Sequence, residues 1–518
     1  MKRERMSSVD TAWLRMDRPS NLMMICGVLI FGERLALKSL RATVKNRFMR
    51  FPRLTQRPVQ TPTGAFWETD AQLDIGAHVL RAALKGRDSK RALEGLVSKL
   101  VATPLDPARP MWQFHLVDRY EGGSAVIVRI HHCYADGIAL IQVMLSMTDA
   151  DPEGTAAGPT PAPAGDSESS DDPLAQLVDP IAAALKLATK TGAALIGQAV
   201  ALWHEPARAV ALAEQGSALT AEIAKLALMR EDSPTLFKGR PHAAKRVAWA
   251  EPIGLDDVKS IGRALDCSIN DVLLSSVAGA IRSYLFRRGE AVEQVTIRVL
   301  VPVNLRPPEK ALKLGNHFGL VFLDLPIGIE NPVERLYAVR SNMRALKGSY
   351  QPMLALGILA AMGAGPKVLQ EQLLRLLAKN ATAVMTNVPG PQRPLYLAGS
   401  RIESMMFWVP QSGDIGMGVS ILSYNGQVHF GLVTDRSLCP DPDRIIERFA
   451  PEFDKLLLAT LMSPWPWDRA PSAEQIATAV FTLHEPRVPR ADCVAVALRR
   501  AHGAASNKTR KAGVHESA

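Results

Sequence analysis

The sequence has few cysteines, and they are not patterned for pairing. Its five cysteines (Cys26, Cys133, Cys267, Cys439, Cys493) are odd in number, widely spaced and form no CxxC pair. That argues against a disulfide framework and a zinc ribbon, and it predicts a reducing, cytoplasmic setting. Long apolar runs are also missing. "LMMICGVLIFG" is too short to cross a bilayer and reads as a buried strand, and the charged N-terminus "MKRERMSSVDTAWLRMDRPS" leads into no signal-type apolar region. Aromatics make up only 6% of the residues, which argues against single-strand nucleic-acid binding on stacking platforms. "GDIGMG" has the wrong glycine spacing for a dinucleotide fingerprint. No HExxH is present, and no repeat of the solenoid type emerges.

What is present fits a large globular chain. With 518 residues, 47% hydrophobic and 22% charged, about two to four domains are expected. The formal charge of +10 is unevenly placed. The segment from Pro486 to Ala518 carries seven Lys/Arg against only Asp492 and Glu516. Such a tail is predicted to be solvated and disordered, with attraction to an anionic membrane face as the sharper reading. Residues 151–172 carry six acids, no base and much Pro, Ala, Gly and Ser, the composition of a disordered linker. Two Ala-rich helices follow, the first announced by Asp179 as N-cap with Pro180 behind it. Their apolar faces, with Leu185, Ile196 and Trp203, suit docking on the domains or lying on lipid.

Periodicity divides the chain into an α/β unit over 1–150, the linker and helices over 151–235, a second α/β unit over 236–470, and a basic tail over 471–518. In the first unit, strands are expected at 23–31, 114–120 and 124–130, the last two joined by an EGG turn. Helices are expected at 35–48, 90–102 and 138–150. In the second, five strand-like runs are expected, the last two joined through "SYNGQVHF", whose Asn-Gly is a strong hairpin signal. Helices are expected at 255–265, 271–287, 331–347, 353–379 and 441–462.

The stretch carrying chemistry is "RIHHCYADGIAL", from Arg129 to Leu140. His131 and His132 end an apolar strand, and Asp136-Gly137 follow four residues after the second. Three readings stand here. His132 and Asp136, four apart, could share a face as metal ligands, but two ligands do not make a site. A satisfied core histidine is the bland option. A histidine held at a strand end can also project into a cleft as a general base, since neutral imidazole accepts a proton near neutral pH. Asp136 would then fix the loop by pairing with an arginine, and Gly137 would allow close backbone approach or an unusual dihedral.

Here the chain resembles the bacterial wax ester synthase/diacylglycerol acyltransferase family, within the HHxxxDG and chloramphenicol-acetyltransferase-like superfamily. "HHCYADG" matches the signature. "PLDPARPMW" (104–112), "SINDVLL" (268–274), "VPVNLRP" (301–307), "LGNHFG" (314–319), "NVPGP" (387–391) and "GLVTDR" follow in the family's order, with Met111 where leucine is usual. The resemblance spans roughly residues 7–465. It implies an α/β fold of two chloramphenicol-acetyltransferase-like domains, each a mixed sheet flanked by helices, with the active site at their interface. It implies transfer of a long-chain acyl group from acyl-CoA, a substrate and not a cofactor, to diacylglycerol or a long-chain alcohol. The product is triacylglycerol or wax ester, and the protein would work at a membrane or lipid-droplet surface. In this picture His132 is the general base, His131 shapes the site and Asp136 is structural; no metal is implied.

Supporting residues follow from this. Asn270 is a candidate polar group near the reacting centre or an ordinary helix cap, with Asp271 as support at the same helix start. Arg306 is a candidate partner for Asp136. Cys133, beside the histidines, raises the question of an acyl-enzyme. "NVPGP" is expected to form a rigid turn, and "PMLALGILAAMGAGP" (352–366) a helix apolar nearly all round, in the core or lining an acyl channel. "SPWPWDR" (463–469) could pack a domain end or anchor at an interface. The rivals are a carrier-protein-dependent condensation-type acyltransferase and a non-catalytic lipid-droplet-binding protein. The plant-type HxxxD enzymes are disfavoured by the absent DFGWG element, and nucleic-acid binding by the lack of any motif.

Overall fold

A computed structural model of the chain describes residues 3–61, 64–86, 88–153, 229–306, 314–346, 349, 351–364 and 379–462. The acidic linker beyond 153, the Ala-rich helices, "SPWPWDR" and the basic tail lie outside these residues.

Local turn chemistry builds the two hairpins that the sequence announces. Glu121 and Gly122 both take positive φ (49° and 85°) between the strands Trp112–Tyr120 and Gly123–His131. Asn425 and Gly426 do the same (49° and 73°) between Met417–Tyr424 and Gln427–Asp435. Two central turn residues at positive φ match the right-handed twist of the flanking strands.

Each hairpin seeds a mixed seven-stranded sheet. In the first, the order is Val79–Ala82, Trp112–Tyr120, Gly123–His131, Met24–Phe31, Ser400–Trp408, Tyr396–Leu397 and Thr148–Asp149, with the first pair parallel. In the second, Ile253–Gly254 and Lys245–Trp249 both pair with Gln427–Asp435. Met417–Tyr424, Ala383–Pro389, Ile297–Asn304 and Phe318–Leu325 follow, with parallel pairing on both sides of Ala383–Pro389. A small three-stranded sheet of Arg3–Arg5, Gly64–Thr69 and Gln56–Thr61 stands apart. Helices flank the large sheets, as the two-domain α/β expectation requires.

The two sheets do not divide at one point along the chain. Ser400–Trp408 pairs antiparallel with Met24–Phe31 and so completes the first sheet from within the second unit. Its apolar side chains explain the crossing. Met406 and Trp408 join Cys26 and Val28 from the first sheet and Val247, Trp249 and Val433 from the second in one buried cluster. On the same side, Ser98 Oγ on the helix Lys90–Val101 accepts a hydrogen bond from Val247 N at 2.8 Å across the two units.

Several expected elements take different bounds. The helix after the histidines is Gly137–Ser146 instead of 138–150, because Thr148–Asp149 is drawn out as an edge strand on Tyr396–Leu397. Arg47 secures that strand through Asp149 at 2.8 Å. "NVPGP" is not simply a turn, since Asn387–Pro389 end the strand Ala383–Pro389 in the middle of the second sheet. The helix expected over 353–379 begins at Gln351, and its expected residues 365–378 lie outside the described residues. No single helix among the described residues is long and apolar enough to cross a membrane.

Gln351–Ala364 packs between the helix Ser8–Met16 and the strand Phe318–Leu325. Its close approach depends on Gly319, where a Cβ would lie 2.1 Å from the Pro352 carbonyl oxygen. Backbone cannot swing aside as a side-chain end can, so Gly319→Ala is expected to destabilise by about 1–3 kcal/mol, the usual penalty of overpacking. Urea unfolding followed by circular dichroism measures this, and an unchanged midpoint would contradict the packing described.

Candidate active site

The site grows from the end of a strand buried along its whole length. Gly123–His131 lies between Trp112–Tyr120 and Met24–Phe31, and its ladder continues one step beyond the strand: His131 N donates to Met111 O (3.0 Å) and His132 N to Met23 O (2.7 Å). The backbone of both histidines is therefore rigid. Tyr134 adds a clamp, its hydroxyl accepting from Met111 N (3.0 Å) and donating to Gln56 O (2.6 Å). "PMW" is thereby held against the histidine turn.

Asp136 then does three things. Its Oδ1 accepts from Ala139 N at 2.9 Å and caps the helix Gly137–Ser146. Its Oδ2 accepts from Arg306 Nη2 at 2.6 Å and from His317 N at 3.0 Å. Both side chains of the ion pair are buried. Arg306 Nη2 also donates to Gly315 O at 2.6 Å. The arginine expected for Asp136 is thus Arg306, and the pair ties the histidine turn to the loop ahead of Phe318–Leu325. Breaking a buried pair by removing one partner costs on the order of 3–5 kcal/mol.

The histidines have different surroundings. His131 Nδ1 accepts from Cys133 N (3.1 Å), which leaves the ring proton on Nε2, 3.8 Å from Asp17 Oδ1. This is a structural arrangement. His132 is 5% exposed, and Trp13 of the helix Ser8–Met16 stacks on its ring at 4.1 Å between centroids and 19° between planes. Phe318 lies against the same ring at 5.7 Å. Burial pushes the His132 pKa down to about 4, against the opposing pull of the Asp136 charge and of its own carbonyl. The imidazole is neutral at neutral pH and can accept a proton.

Of the remaining sequence candidates, Gly137 needs neither close backbone approach nor positive φ. Nothing lies within 4 Å of where its Cβ would stand. It lines an apolar cavity between the two sheets, bounded by Ile25, Val128 and Met144 on one side and by Thr386, Val388 and Ile421 on the other. Asn270 is not the cap of its helix. Ser268 caps Ile269–Arg287 in a capping box with Asp271, which is the support role expected of Asp271. The Asn270 side chain meets Asn387, joining "SIND" to "NVPGP". Cys133 is fully buried, and burial raises its thiol pKa well above the ordinary value, so it is poorly suited to act as a nucleophile.

Trp13, Asp10, Asn316 and Phe318 escaped the sequence reading as site residues. Asn316 and Phe318 stand inside the quoted "LGNHFG", but nothing local assigns them to a ring 184 residues earlier; Asn316 Nδ2 donates to His132 O at 2.9 Å. Trp13 and Asp10 belong to a short N-terminal helix whose pattern marks only a buried face.

Residues 6–273 match the model of the wax ester synthase/diacylglycerol acyltransferase catalytic domain, and residues 314–457 that of the WS/DGAT C-terminal domain. A probable diacylglycerol O-acyltransferase of Mycobacterium tuberculosis is 27% identical over 454 residues, covering 85% of this chain and 93% of its own. Among solved structures, a wax ester synthase/diacylglycerol acyltransferase from Marinobacter aquaeolei VT8 superposes with a TM-score of 0.63 at 20% identity, over 88% of this chain and 99% of that one. The first condensation domain of the calcium-dependent antibiotic synthetase shares the fold, with a TM-score of 0.54 at 13% identity over 92% and 98% of the two chains.

The burial of Cys133 makes a direct prediction. In the folded protein at pH 8 it should resist iodoacetamide, while the urea-unfolded chain is alkylated at that position. Peptide mass spectrometry reads the site, and equal labelling in both states would return the thiol to consideration.

Proposed function

Because the chain belongs to the wax ester synthase/diacylglycerol acyltransferase family, a class of acyltransferases, we propose that it transfers a long-chain acyl group from acyl-CoA to the hydroxyl of diacylglycerol or a long-chain alcohol, with His132 as general base. The observation that carries this reading is a neutral imidazole at the junction of two sheets, stacked on Trp13 in an apolar setting.

The chemistry asks little more of the protein. His132 takes the proton from the acceptor hydroxyl as its oxygen attacks the thioester carbonyl. The tetrahedral adduct then collapses, the C–S bond breaks, and the imidazolium returns the proton to the departing CoA sulfur. The thioester is already activated, so no acyl-enzyme is required, in keeping with the buried Cys133. Positioned proton transfer contributes about 10²–10⁴ in rate. Apolar walls discourage water, which would otherwise compete with the alcohol and hydrolyse the thioester. The apolar cavity beside the helix Gly137–Ser146, about 40 Å³, offers hydrocarbon-lined walls and open space over Gly137, but not the volume of a whole acyl chain. Insoluble acceptors imply a membrane or droplet surface as their reservoir, and the exposed Leu458, Leu461 and Met462 at the end of the last described helix suit such a setting.

Purified protein given palmitoyl-CoA without any carrier protein, with hexadecanol and dipalmitoylglycerol in competition, should form ester, and the product ratio identifies the preferred acceptor. His132→Ala should lower turnover by about 10²-fold or more while the protein stays folded. A variant that keeps wild-type turnover would remove the base from the mechanism. A base must be neutral to work, so activity is lost as pH falls through its folded pKa. Burial lowers that pKa, which places the acidic limb of kcat/KM well below the ordinary histidine value, toward about 4. A limb near pH 6.5 would show a solvated ring.

A further inference from the structure

The loop Gly315–His317 reaches the back of the His132 ring with its polar groups already committed in one direction. Asn316 Nδ2 donates to Asp10 Oδ1 (2.8 Å) and to His132 O (2.9 Å). Both partners are acceptors, so the amide has only one sensible orientation, with Oδ1 turned away from them. Asn316 N also donates to Asp10 Oδ1 (3.1 Å). Asp10 is itself fixed, since its backbone N–H donates to Ser7 Oγ at the start of the helix that carries Trp13.

Two buried atoms are left over, and they are complementary. Asn316 Oδ1 and His132 Nδ1 both lack a hydrogen-bond partner of good geometry. The Asn316 side chain nonetheless stands close enough to favour the protonated ring, together with the carbonyl of His132 itself. The titratable groups facing the ring are Asp136 and His131, with Asp10 behind Asn316. Each of these atoms, buried and without a partner, calls for a reason.

Resting on the assignment of His132 as the base, we propose that Asn316, anchored by Asp10, is a positioning residue that accepts the Nδ1 proton of His132 and so presents Nε2 as the basic nitrogen. The contact is loose in the resting site and closes as Nε2 takes up the proton of the acceptor hydroxyl, because imidazolium Nδ1–H is the stronger donor. An interaction that strengthens only on the way to the transition state raises kcat instead of tightening substrate binding. The inference also gives the Asp136–Arg306 pair a task in the reaction. By holding Gly315 O and His317 N it fixes both neighbours of Asn316.

The test uses the full chain with palmitoyl-CoA and hexadecanol. Asn316→Ala should lower kcat by about 10–100-fold, with KM for both substrates within about threefold. Asp10→Ala should lower kcat less, and the double variant should be no slower than Asn316→Ala alone, because Asp10 acts through Asn316. The exchanged pair, Asp10→Asn with Asn316→Asp, moves the negative charge next to the ring. It should raise the acidic limb of kcat/KM by one pH unit or more relative to wild type, a readout that survives even if Asn316→Ala folds poorly. A loss confined to KM, additive losses, or an unmoved limb would each overturn the proposal. If His132→Ala is inactive while Asn316→Ala turns over normally, this inference alone fails. If His132→Ala is itself active, the assignment of the base fails first.

Discussion

The Asp136–Arg306 ion pair is the constraint on which the site depends. Two opposite charges are held out of water at 2.6 Å, with further hydrogen bonds from Ala139 N and His317 N and to Gly315 O. A buried pair is stable only when such extra hydrogen bonds offset desolvation. Here those bonds come from both units of the chain, so satisfying the pair means assembling the junction. The same carboxylate caps the helix that follows the histidines, which sets where the apolar cavity begins.

Around this anchor, burial keeps the proposed base neutral. Trp13 and Phe318 cover the His132 ring, and burial outweighs the pull of Asp136 on its protonation. An acyltransferase acting on an alcohol would gain twice from this arrangement: a base there would stay unprotonated, and apolar walls would discourage water from a thioester. The cost is a base weaker than a solvated imidazole. Groups that support the imidazolium only once it forms would compensate, which is the role proposed for Asn316.

The fold was legible where local physics sets it. Positive-φ pairs at Glu121-Gly122 and Asn425-Gly426 made two hairpins readable, and apolar periodicity located the helices Lys90–Val101 and Asp443–Met462 closely. The strand Ser400–Trp408 escapes local reading because its fate depends on a partner, Met24–Phe31, met more than 370 residues earlier in the chain. Apolar spacing continues through Thr148–Asp149 and predicts helix there, while its partner at Tyr396–Leu397 pulls it straight. Asn270 looked like a cap from its neighbours' composition, but Ser268 holds the position where a side chain can reach the free N–H of Asp271.

By itself the sequence determined the histidine turn: an apolar strand that must be buried, a short loop, and an aspartate placed to cap the next helix, all local consequences of residue type and spacing. It also carried the order of motifs that marks the family. Only the tertiary structure decided which side chains meet that turn. Trp13, Asp10, Arg306 and Asn316 lie on segments with no local reason to converge; burial of apolar faces on two sheets, the first of which takes a strand from the second unit, brings them together. The spacing that exposes a helix or hairpin reaches only a few residues, whereas the environment that keeps His132 neutral is assembled from contacts that exist only once the chain has closed.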